Sequence, residues 1–430
     1  MTVAISNHDE DRSTLAATIP FDVESVRQHF PALRGERVPL NNATGSLVYE
    51  GAVKAIANAM SAYQLDFAGG DVISQLQIDE RKSKYVQLAA FMNAEPDEIA
   101  FGPSTSGLIR NVTTSLRPFL NSDSEMIVST LCHEAGITSW VALARSLGIE
   151  IKWWSPPGGK GNPTAKLSIE TLKPLLSPKT RLVACGHVSN VFGTIHDIRA
   201  VADVVHTVPG ALLSVDGVAW APHRPIDVKA MDVDFYFFSW YKLFGPHYAQ
   251  MYARSSVQQR YMTSLNHYHL DSTTLDIKVH MGRNCYEFED GILEIVKYIQ
   301  RIGWDNIIAH EVVIVQPLLE YLNSHPEWFT LYGEKSSDPK LRVSLVSFTV
   351  NGVCSQAITK IIHESSPCRI LAGNAFSLRA VHDVLGLGDG GVIRVSLVHY
   401  NNLQDIQTFI DVLDYVVRAH FKDQGRCQLA

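Results

Sequence analysis

Short apolar runs alternate with helical patterns from about residue 50 to residue 295. Two segments with apolar residues at helical spacing, VKAIANAMSAYQL and RKSKYVQLAAFMNA, predict amphipathic helices. Several apolar runs bounded by polar or glycine residues predict buried strands: EIAFG, EMIVST, EIKWW, RLVACGHV, ALLSVDGV and VDFYFFS. Runs of this kind are typical of a parallel sheet that is covered on both faces. The alternation therefore predicts a large α/β domain.

From about residue 300 the pattern changes. A long helical segment, NIIAHEVVIVQPLLEYLNSH, leads into three strand-like runs and the final helical segment LQDIQTFIDVLDYVVRAHF. This order predicts a small α+β C-terminal domain. We therefore predict a disordered tail at residues 1–18 and a segment at residues 19–40 that packs on the small domain. The large domain then spans residues 41–300, and the small domain spans residues 301–430.

Composition narrows the class of protein. The 430 residues are 46% hydrophobic and 19% charged. The net charge of −7 argues against nucleic-acid binding, which needs a basic face. The six cysteines form no CxxC pair, which argues against a zinc site or a disulfide framework. The N-terminus lacks the features of a secretory signal, and no apolar run is long enough to span a bilayer. These features predict a cytoplasmic protein without a membrane or nucleic-acid partner.

A lysine closely follows one of the apolar strands, at Lys242 in VDFYFFSWYKLFGPH. Its aliphatic stem could lie along apolar surface and place the charge in water. At the rim of a buried sheet the amine instead loses hydration, which lowers its pKa and makes it nucleophilic. A nucleophilic lysine can form a Schiff base with an aldehyde cofactor. Ser239 and Tyr241 flank Lys242 and could donate hydrogen bonds to a phosphate.

A carboxylate ends another apolar strand, at Asp216 in ALLSVDGV. An aspartate at a strand end is often a cap or turn residue, but a buried carboxylate needs a partner. Pyridoxal 5′-phosphate (PLP) supplies one, because its protonated ring nitrogen pairs with an aspartate while the ring accepts electrons. Lys242 and Asp216 together therefore indicate a PLP site.

Further polar residues lie near strand ends or inside a strand. In FGPSTSGLIRNV, the residues Ser104, Thr105 and Ser106 begin a predicted helix. Backbone N–H groups at a helix N-terminus bind phosphate, and the hydroxyl groups add donors. The alternative is that this stretch is a simple helix N-cap. His133 follows the strand EMIVST and could stack on a cofactor ring or serve a structural role. Arg394 lies within the apolar run VIRVSLVHY, where it needs an anion, either a substrate α-carboxylate or a structural partner.

Together these residues resemble the class V aminotransferase family, the cysteine-desulfurase-like branch of fold-type I PLP-dependent transferases, over roughly residues 21–420. The resemblance implies a large domain with a mostly parallel sheet in an α/β/α sandwich, a small α+β C-terminal domain, and PLP as cofactor. It implies catalytic roles for Lys242, His133 and Asp216. The residues that it implies in cofactor binding are Ser104, Thr105, Ser106, His133, Asn190, Asp216, Ala219, Ser239, Tyr241, Lys242 and Arg283. Those implied in substrate binding are Asn42, Thr44, Trp240, Asn374 and Arg394, with residues 261–269 and 374–376 nearby.

One departure from the family bears on the reaction. Cysteine desulfurases carry a catalytic cysteine on a mobile loop, and Phe376 stands at the matching position, with only Cys368 near it in sequence. Leu371 replaces the arginine that precedes this loop in the family. Persulfide formation needs a thiolate at that position, so the resemblance does not extend to sulfur transfer.

Other departures concern the cofactor. Ala219 replaces a glutamine that contacts the phenolic oxygen of PLP, and Tyr241 replaces the usual histidine before the lysine. Arg283 stands where a threonine is common in the family. We expect Arg283 to clamp the phosphate bound by a partner subunit, which predicts a homodimer with a shared active site.

Family members without the loop cysteine occur in fungal secondary metabolism, including isopenicillin N epimerase-like proteins and the PLP enzyme of the loline-alkaloid pathway. The resemblance therefore implies an enzyme of alkaloid-type metabolism that forms a Cα carbanion from an amino acid and closes a ring by Mannich-type carbon–carbon bond formation. An aminotransferase, an epimerase or a C–S lyase is the alternative. A non-catalytic descendant of the fold is a further one, against which Lys242, Asp216 and Arg394 argue.

Overall fold

The computed structural model describes residues 21–62, 72–267, 274–280, 282 and 285–427. The tail predicted for residues 1–18 and the predicted phosphate ligand Arg283 lie outside the described residues. The described strands are β1 (Val38–Pro39), β2 (Ile99–Gly102), β3 (Glu125–Ser129), β4 (Glu150–Trp154), β5 (Thr180–Gly186), β6 (Leu212–Asp216), β7 (Phe235–Ser239), β8 (Ala249–Ala253), β9 (Phe329–Tyr332), β10 (Leu345–Val350), β11 (Cys368–Arg369), β12 (Leu371–Gly373) and β13 (Val392–Ser396).

The described α-helices are α1 (Val23–Gln28), α2 (Glu50–Ala62), α3 (Val72–Ala90), α4 (Thr105–Leu116), α5 (Glu134–Leu147), α6 (Ile169–Leu172), α7 (Ile198–Val205), α8 (Val228–Met231), α9 (Ser255–Tyr261), α10 (Leu275–Val279), α11 (Tyr286–Ile302), α12 (Trp304–Ser324), α13 (Ser355–Ser365) and α14 (Leu403–Cys427). Short 3₁₀ turns include Arg117–Phe119 and Trp240–Lys242, and residues Ala380–Val384 form a π-helical turn. None of the helices in these described ranges combines the length and the apolarity needed to cross a bilayer.

The large sheet has seven strands in the order β2-β8-β7-β6-β5-β3-β4. Every pairing is parallel except those of β8, which runs antiparallel to β2 and to β7. The apolar runs therefore form the mostly parallel sheet that the sequence predicts, with β8 as a strand that the pattern did not reveal. Since β8 is the one reversed strand, the carboxyl ends of β2, β3, β5, β6 and β7 all meet at one edge.

Both faces of this sheet are covered by helices. Along β7, Phe235 and Phe237 belong to one apolar cluster, which includes residues of α4 and α5. Tyr236 and Phe238 belong to the other cluster, which includes residues of α3, α7 and α11. This alternation follows from the period of a strand, which sends successive side chains to opposite faces. The α/β/α sandwich is therefore confirmed.

A second, antiparallel sheet follows along the chain. Its four strands have the order β12-β13-β10-β9, and their apolar residues pack with α12, α13 and α14 in a separate cluster. Residue Arg394 of β13 lies opposite Ser347 of β10 and Leu371 of β12. The central strand β13 therefore brings a charged side chain from this sheet toward the first one.

The N-terminal segment joins the two sheets. Strand β1 pairs in parallel with β11, and Arg27 forms an ion pair with Asp405 at the start of α14 at 3.0 Å. Phe30 is completely buried, with its ring centroid 4.7 Å from that of Tyr400 and 5.9 Å from that of Phe244. Phe244 comes just after the Trp240–Lys242 turn, so this aromatic cluster connects the segment to the turn that carries Lys242.

Replacing Phe30 with alanine should lower the free energy of unfolding by about 3–5 kcal/mol, because a fully buried aromatic ring leaves a cavity. Chemical denaturation measures the change. The control is Tyr415→Ala on α14, whose side chain is 74% exposed and whose loss should change the free energy by no more than roughly 0.5 kcal/mol. Equal effects of the two substitutions would contradict the joining role of Phe30.

Candidate active site

A cleft opens at the edge where the parallel strands end, with about 600 Å³ of empty space. Ten of the residues singled out in the sequence line it together: Ser104, Thr105, Ser106, His133, Asn190, Asp216, Ala219, Ser239, Tyr241 and Lys242. They come from the ends of β2, β3, β5, β6 and β7, which the parallel order of the sheet brings to one place. The cleft is therefore the candidate active site.

Lys242 is held at the end of the Trp240–Lys242 turn. The N–H of Trp240 donates to the carbonyl of Tyr248, and the N–H of Gly245 donates to the carbonyl of Trp240, both at 2.8 Å. The Lys242 side chain is only 7% exposed, and no carboxylate of the described residues forms an ion pair with it. Burial, with a further contribution from the positive charge of Arg394, lowers its pKa to about 8 despite the opposing effect of Asp216. Roughly a tenth of the amine is therefore neutral at pH 7, far more than for a lysine in water, and this neutral fraction can act as a nucleophile.

Asp216 is the last residue of β6, and it faces the same cleft. Its Oδ1 accepts a hydrogen bond from the Val218 N–H at 2.9 Å. Burial raises the pKa of its carboxyl group, while the Val218 N–H and the charge of Lys242 act in the opposite direction. A buried carboxylate whose pKa is raised is stabilised by a cationic partner, and a protonated pyridine nitrogen would be one.

Gly136, which the sequence reasoning missed, lets helix α5 approach Asp216. A Cβ atom at this position would lie only 2.6 Å from Asp216 Oδ2. The close approach fixes the carboxylate against the first turn of the helix. Sequence reasoning had no signal for this role, because a glycine within a helical pattern does not indicate what lies beside it.

His133 caps helix α5. Its Nδ1 accepts a hydrogen bond from the Ala135 N–H at 3.0 Å, which assigns the ring proton to Nε2. Burial and the positive charges of Lys242 and Arg394 lower the pKa of His133 to about 4. The imidazole is therefore neutral at neutral pH, a state in which it can stack on a flat ring without burying another charge.

The other end of the cleft has the features of a phosphate site. Ser104 caps α4 by accepting a hydrogen bond from the Gly107 N–H at 3.1 Å. The hydroxyl groups of Thr105 and Ser239 lie 2.6 Å apart, so the start of α4 and the end of β7 meet here. Free N–H groups and the dipole of a helix N-terminus favour an anion, and the hydroxyl groups add donors.

Arg394, on β13 of the second sheet, lies beside the cleft, where its positive charge acts on His133 and Lys242. Its Nη1 donates to the carbonyl of Asn190 at 2.9 Å, and its Nη2 donates to Thr44 Oγ1 at 3.0 Å and to Asn41 Oδ1 at 3.2 Å. Its Nε is buried and has no hydrogen-bond partner among the described residues. Burial lowers the pKa of the guanidinium to about 10, so it stays charged at neutral pH. A buried guanidinium held only by neutral groups is suited to a carboxylate ligand.

Asn41 is a second residue that the sequence reasoning missed, and its neighbour Asn42 was chosen instead. The side chain of Asn42 is buried and bonded to Pro39, Ser396, Asn401 and Tyr400. Its amide is fully hydrogen-bonded within the protein, and substrate binding by Asn42 stays a prediction. The two adjacent asparagines are alike in sequence, and only the direction of the backbone distinguishes them. Substrate contact by Thr44 stays a prediction.

Trp240 does not line the cleft. Its side chain is completely buried, with its ring centroid 5.4 Å from that of Phe91 and 5.1 Å from that of Phe238. The turn before Lys242 directs this ring into the core, and a contact of Trp240 with substrate stays a prediction. Tyr261 is also remote, since it contacts Phe119 beyond the far end of α4. Residues 268–269 lie outside the described residues.

Asn190 ties the cleft to the loop at residues 374–377. Its Nδ2 donates to the carbonyl of Ala375 and its Oδ1 accepts from the Ser377 hydroxyl, both at 2.9 Å. Asn374 shapes the same loop, because its Oδ1 accepts a hydrogen bond from the Phe376 N–H at 2.9 Å. A contact of Asn190 with the cofactor and one of Asn374 with substrate stay predictions.

Neither Cys368 nor Cys132 provides an activated thiol, since burial raises the pKa of both. Cys368 lies on β11 in the apolar cluster of the second sheet. Cys132 lines the cleft, which its place in the sequence did not reveal, but burial raises the pKa of its thiol well above the ordinary value. Cys132 is therefore a protonated thiol at neutral pH, and the thiolate is the nucleophilic form.

These residues fit PLP and an amino-acid substrate. The unpaired amine of Lys242 matches an aldehyde, the carboxylate of Asp216 matches a ring nitrogen, and the start of α4 matches a phosphate. The unpaired Nε of Arg394 marks a place for one more acceptor, as a substrate carboxylate would supply. Each charged part of the cofactor and of the substrate thus meets a group that the protein leaves without an opposite charge.

Comparison with known proteins agrees with this fit. The family profile "Aminotransferase class-V" matches residues 74–409. The chain is 50% identical over 395 residues to the nonribosomal peptide synthetase-like enzyme fsqF of Aspergillus fumigatus, covering 92% of this chain but only 26% of that relative. It is 48% identical over 402 residues to the cysteine desulfurase-like protein ustD of Aspergillus flavus, covering 92% of this chain and 91% of that one. The match to fsqF therefore concerns about a quarter of that larger protein.

A solved structure shows the same fold. The apo structure of a cysteine desulfurase from Thermococcus onnurineus NA1 superimposes with a TM-score of 0.81, over 92% of this chain and 98% of the other. The sequence identity is 24%, so this likeness concerns the fold alone. The fold-type I architecture predicted from the resemblance is confirmed.

Replacing Gly136 with alanine should weaken PLP binding by roughly tenfold, or about 1.4 kcal/mol, because the added methyl group displaces the Asp216 carboxylate. Titration of the apoprotein with PLP, followed by absorbance, measures the dissociation constant. The matched control is Gly388→Ala, since a Cβ atom there meets nothing within 4 Å. The role of Gly136 fails if the two variants bind PLP equally well.

The pH dependence of imine formation should report the pKa of Lys242. We expect the rate at which PLP condenses with the apoprotein to rise with pH and to level off above about 8, because only the neutral amine attacks. Arg394→Met should shift this profile to higher pH, since the positive charge of Arg394 helps to lower the pKa of Lys242. Arg418→Met on α14 is the control. The ionisation of PLP itself also affects the profile, but it affects all variants equally. An unshifted profile for Arg394→Met would be evidence against the charge effect.

Proposed function

The chain belongs to the class V aminotransferase family of PLP-dependent enzymes, and on that premise we propose that Lys242 anchors the cofactor and removes a proton from the Cα of an amino-acid substrate. We further propose that the resulting carbanion closes a ring by Mannich-type carbon–carbon bond formation in alkaloid-type specialised metabolism. The observation that carries the proposal is the buried amine of Lys242, which lines the cleft, forms no ion pair within the described part of the chain, and has its pKa lowered by burial to about 8. An amine with this pKa can serve both as nucleophile and as base near neutral pH.

Bound PLP supplies an electron sink for the charge that develops at Cα. Asp216 would hold a proton on the ring nitrogen, because its buried carboxylate faces the cleft and forms no ion pair with a cation of the described residues. The neutral ring of His133 is placed to cover one face of the cofactor. The hydroxyl groups of Thr105 and Ser239, with the start of α4, are placed to bind the phosphate.

Arg394 orients the substrate in this proposal. Its guanidinium comes from β13 of the second sheet, while Lys242 follows the end of β7 of the first sheet, so residues of both sheets take part in substrate binding in this proposal. With PLP bound, the Nζ of Lys242 would be the group that accepts the Cα proton.

Sulfur transfer to a protein acceptor is not part of the proposal. Phe376 occupies the loop position that the family resemblance assigns to a catalytic cysteine, and a phenyl ring cannot form a persulfide. The cysteine that does line the cleft, Cys132, is a protonated thiol because burial raises its pKa. A carbanion that reacts within the substrate needs no such thiol.

An aminotransferase, an epimerase or a C–S lyase is the second candidate. All three begin with the same Cα proton transfer by Lys242, and they differ only in where the proton returns or which bond breaks next. The likeness to ustD, whose name is cysteine desulfurase-like, favours the lyase among them. The first step is thus common to the candidates, and the products distinguish them.

We also propose a homodimer with a shared active site, in which Arg283 of one subunit contacts the phosphate bound by the other. Arg283 itself lies outside the described residues. Support comes from apolar side chains on α2 and α3 that are 64–76% exposed: Met60, Val72, Ile73 and Leu76. Such a patch is typical of a protein–protein interface.

The Cα proton transfer can be tested in heavy water. The holoenzyme should exchange the Cα proton of its amino-acid substrate for deuterium, and Lys242→Ala should lose this exchange by at least about 10²-fold, since it lacks the base. Proton NMR of a panel of amino acids measures the exchange. Lys84→Ala is the control, because that lysine pairs with Glu80 and Asp290 away from the cleft. Undiminished exchange by Lys242→Ala would overturn the proposed role.

The products then decide between the candidates. A cyclase gives a new bond between two carbon atoms, seen as coupling between adjacent ¹³C labels in a substrate that carries an internal electrophile. An aminotransferase accumulates a keto acid with the pyridoxamine form of the cofactor, an epimerase inverts the Cα centre, and a lyase releases pyruvate or sulfide. Any of these three outcomes without a new carbon–carbon bond would overturn the cyclase proposal.

A further inference from the structure

The loop at residues 374–377 has an unusual backbone. Ala375 and Phe376 are consecutive non-glycine residues in the left-handed region, with φ angles of 51° and 55°. This conformation is disfavoured for residues with a Cβ atom, above all for bulky ones. Such conformations persist only where the surroundings enforce them, and they concentrate at functional sites.

Hydrogen bonds on both sides of Phe376 enforce the conformation. Asn190 bonds to the carbonyl of Ala375 and to the hydroxyl of Ser377, and both of these neighbours are buried. The carbonyl of Phe376 accepts a hydrogen bond from the Glu134 N–H at 2.8 Å, at the first turn of α5. The loop is therefore fixed to the same two elements that place Asn190 and His133 in the cleft.

The side chain of Phe376 is the exception in this fixed loop, because it is 69% exposed. Its ring centroid lies 5.7 Å from that of His133, so the ring stands at the rim of the cleft. The wall of the cleft beside the loop is also apolar, since Leu131 lines the cleft and packs in the same cluster as Ala375. A rigid backbone thus holds an aromatic ring next to the candidate site without covering it.

We propose that Phe376 is a specificity-determining residue, whose ring covers the apolar side chain of the amino-acid substrate. The inference rests on the proposed function, because it takes the cleft to be the substrate site. Binding an aliphatic or aromatic side chain buries the exposed ring, which is favourable in water. The fixed backbone means that little conformational entropy is lost when the substrate binds.

The substitution Phe376→Asn tests the role of the ring with little effect on the loop. Asparagine tolerates the left-handed conformation and has no aromatic ring. Because the ring is exposed, the melting temperature should stay unchanged or rise. A decrease of several degrees would show that Phe376 stabilises the fold through packing, and it would overturn the inference.

The binding measurement uses L-phenylalanine and L-alanine with each holoenzyme, followed by the absorbance change of the bound cofactor. The unmodified protein should bind L-phenylalanine roughly tenfold more tightly than L-alanine, as an apolar group in a pocket can supply. Phe376→Asn should remove this preference by weakening the binding of L-phenylalanine, and Phe376→Tyr should keep it. Phe119→Asn is the matched control, since Phe119 is 45% exposed beyond the far end of α4.

The outcomes separate this inference from the proposed function. If the unmodified protein shows no preference, or if Phe376→Asn keeps it, the inference is overturned, whatever the result of the deuterium exchange. If the preference depends on Phe376 but no Cα proton exchanges, the proposed function is overturned, and Phe376 still determines which amino acid binds.

Discussion

The burial of three charged groups around one cleft is the constraint on which the site depends. Lys242, Asp216 and Arg394 are withdrawn from water, yet neither Lys242 nor Arg394 forms an ion pair with a carboxylate of the described residues. Unpaired burial is costly, and it shifts the pKa of each group. It lowers the pKa of the lysine and raises that of the aspartate. The same cost makes a ligand with complementary charges favourable, which is the reason that the cleft suits PLP and an amino acid.

The charged side chains of Lys242 and Asp216 are each held in place by a neighbouring element of the fold. The turn that carries Lys242 continues into Phe244, a buried residue with a φ angle of 62°, whose ring packs against Phe30 and whose N–H donates to Ser46. Helix α5 holds Asp216 through Gly136. The N-terminal segment, although distant in sequence, therefore helps to fix the lysine.

Asn190 has a comparable role between the two sheets. Its carbonyl accepts a hydrogen bond from Arg394, while its side chain bonds to the residues on either side of Phe376. One residue thus positions both the group that is placed to bind a carboxylate and the loop at the rim. This arrangement links Arg394 on the second sheet to the loop that carries Phe376.

The sequence by itself determined the α/β class, the end of the sheet at which the site lies, and most of the residues that line it. Lys242 and Asp216 could be found because each is a charged residue at the end of an apolar strand, where burial makes it anomalous. Only the tertiary structure showed that Asn41, and not Asn42, bonds to Arg394. It also showed that Trp240 lies in the core and that Gly136 lies beside Asp216. It also revealed β8, whose reversed direction lets β2 and β7 end at the same edge. These features depend on which elements pack together and on the direction of the backbone at each position, and a one-dimensional pattern of apolar and polar residues contains neither.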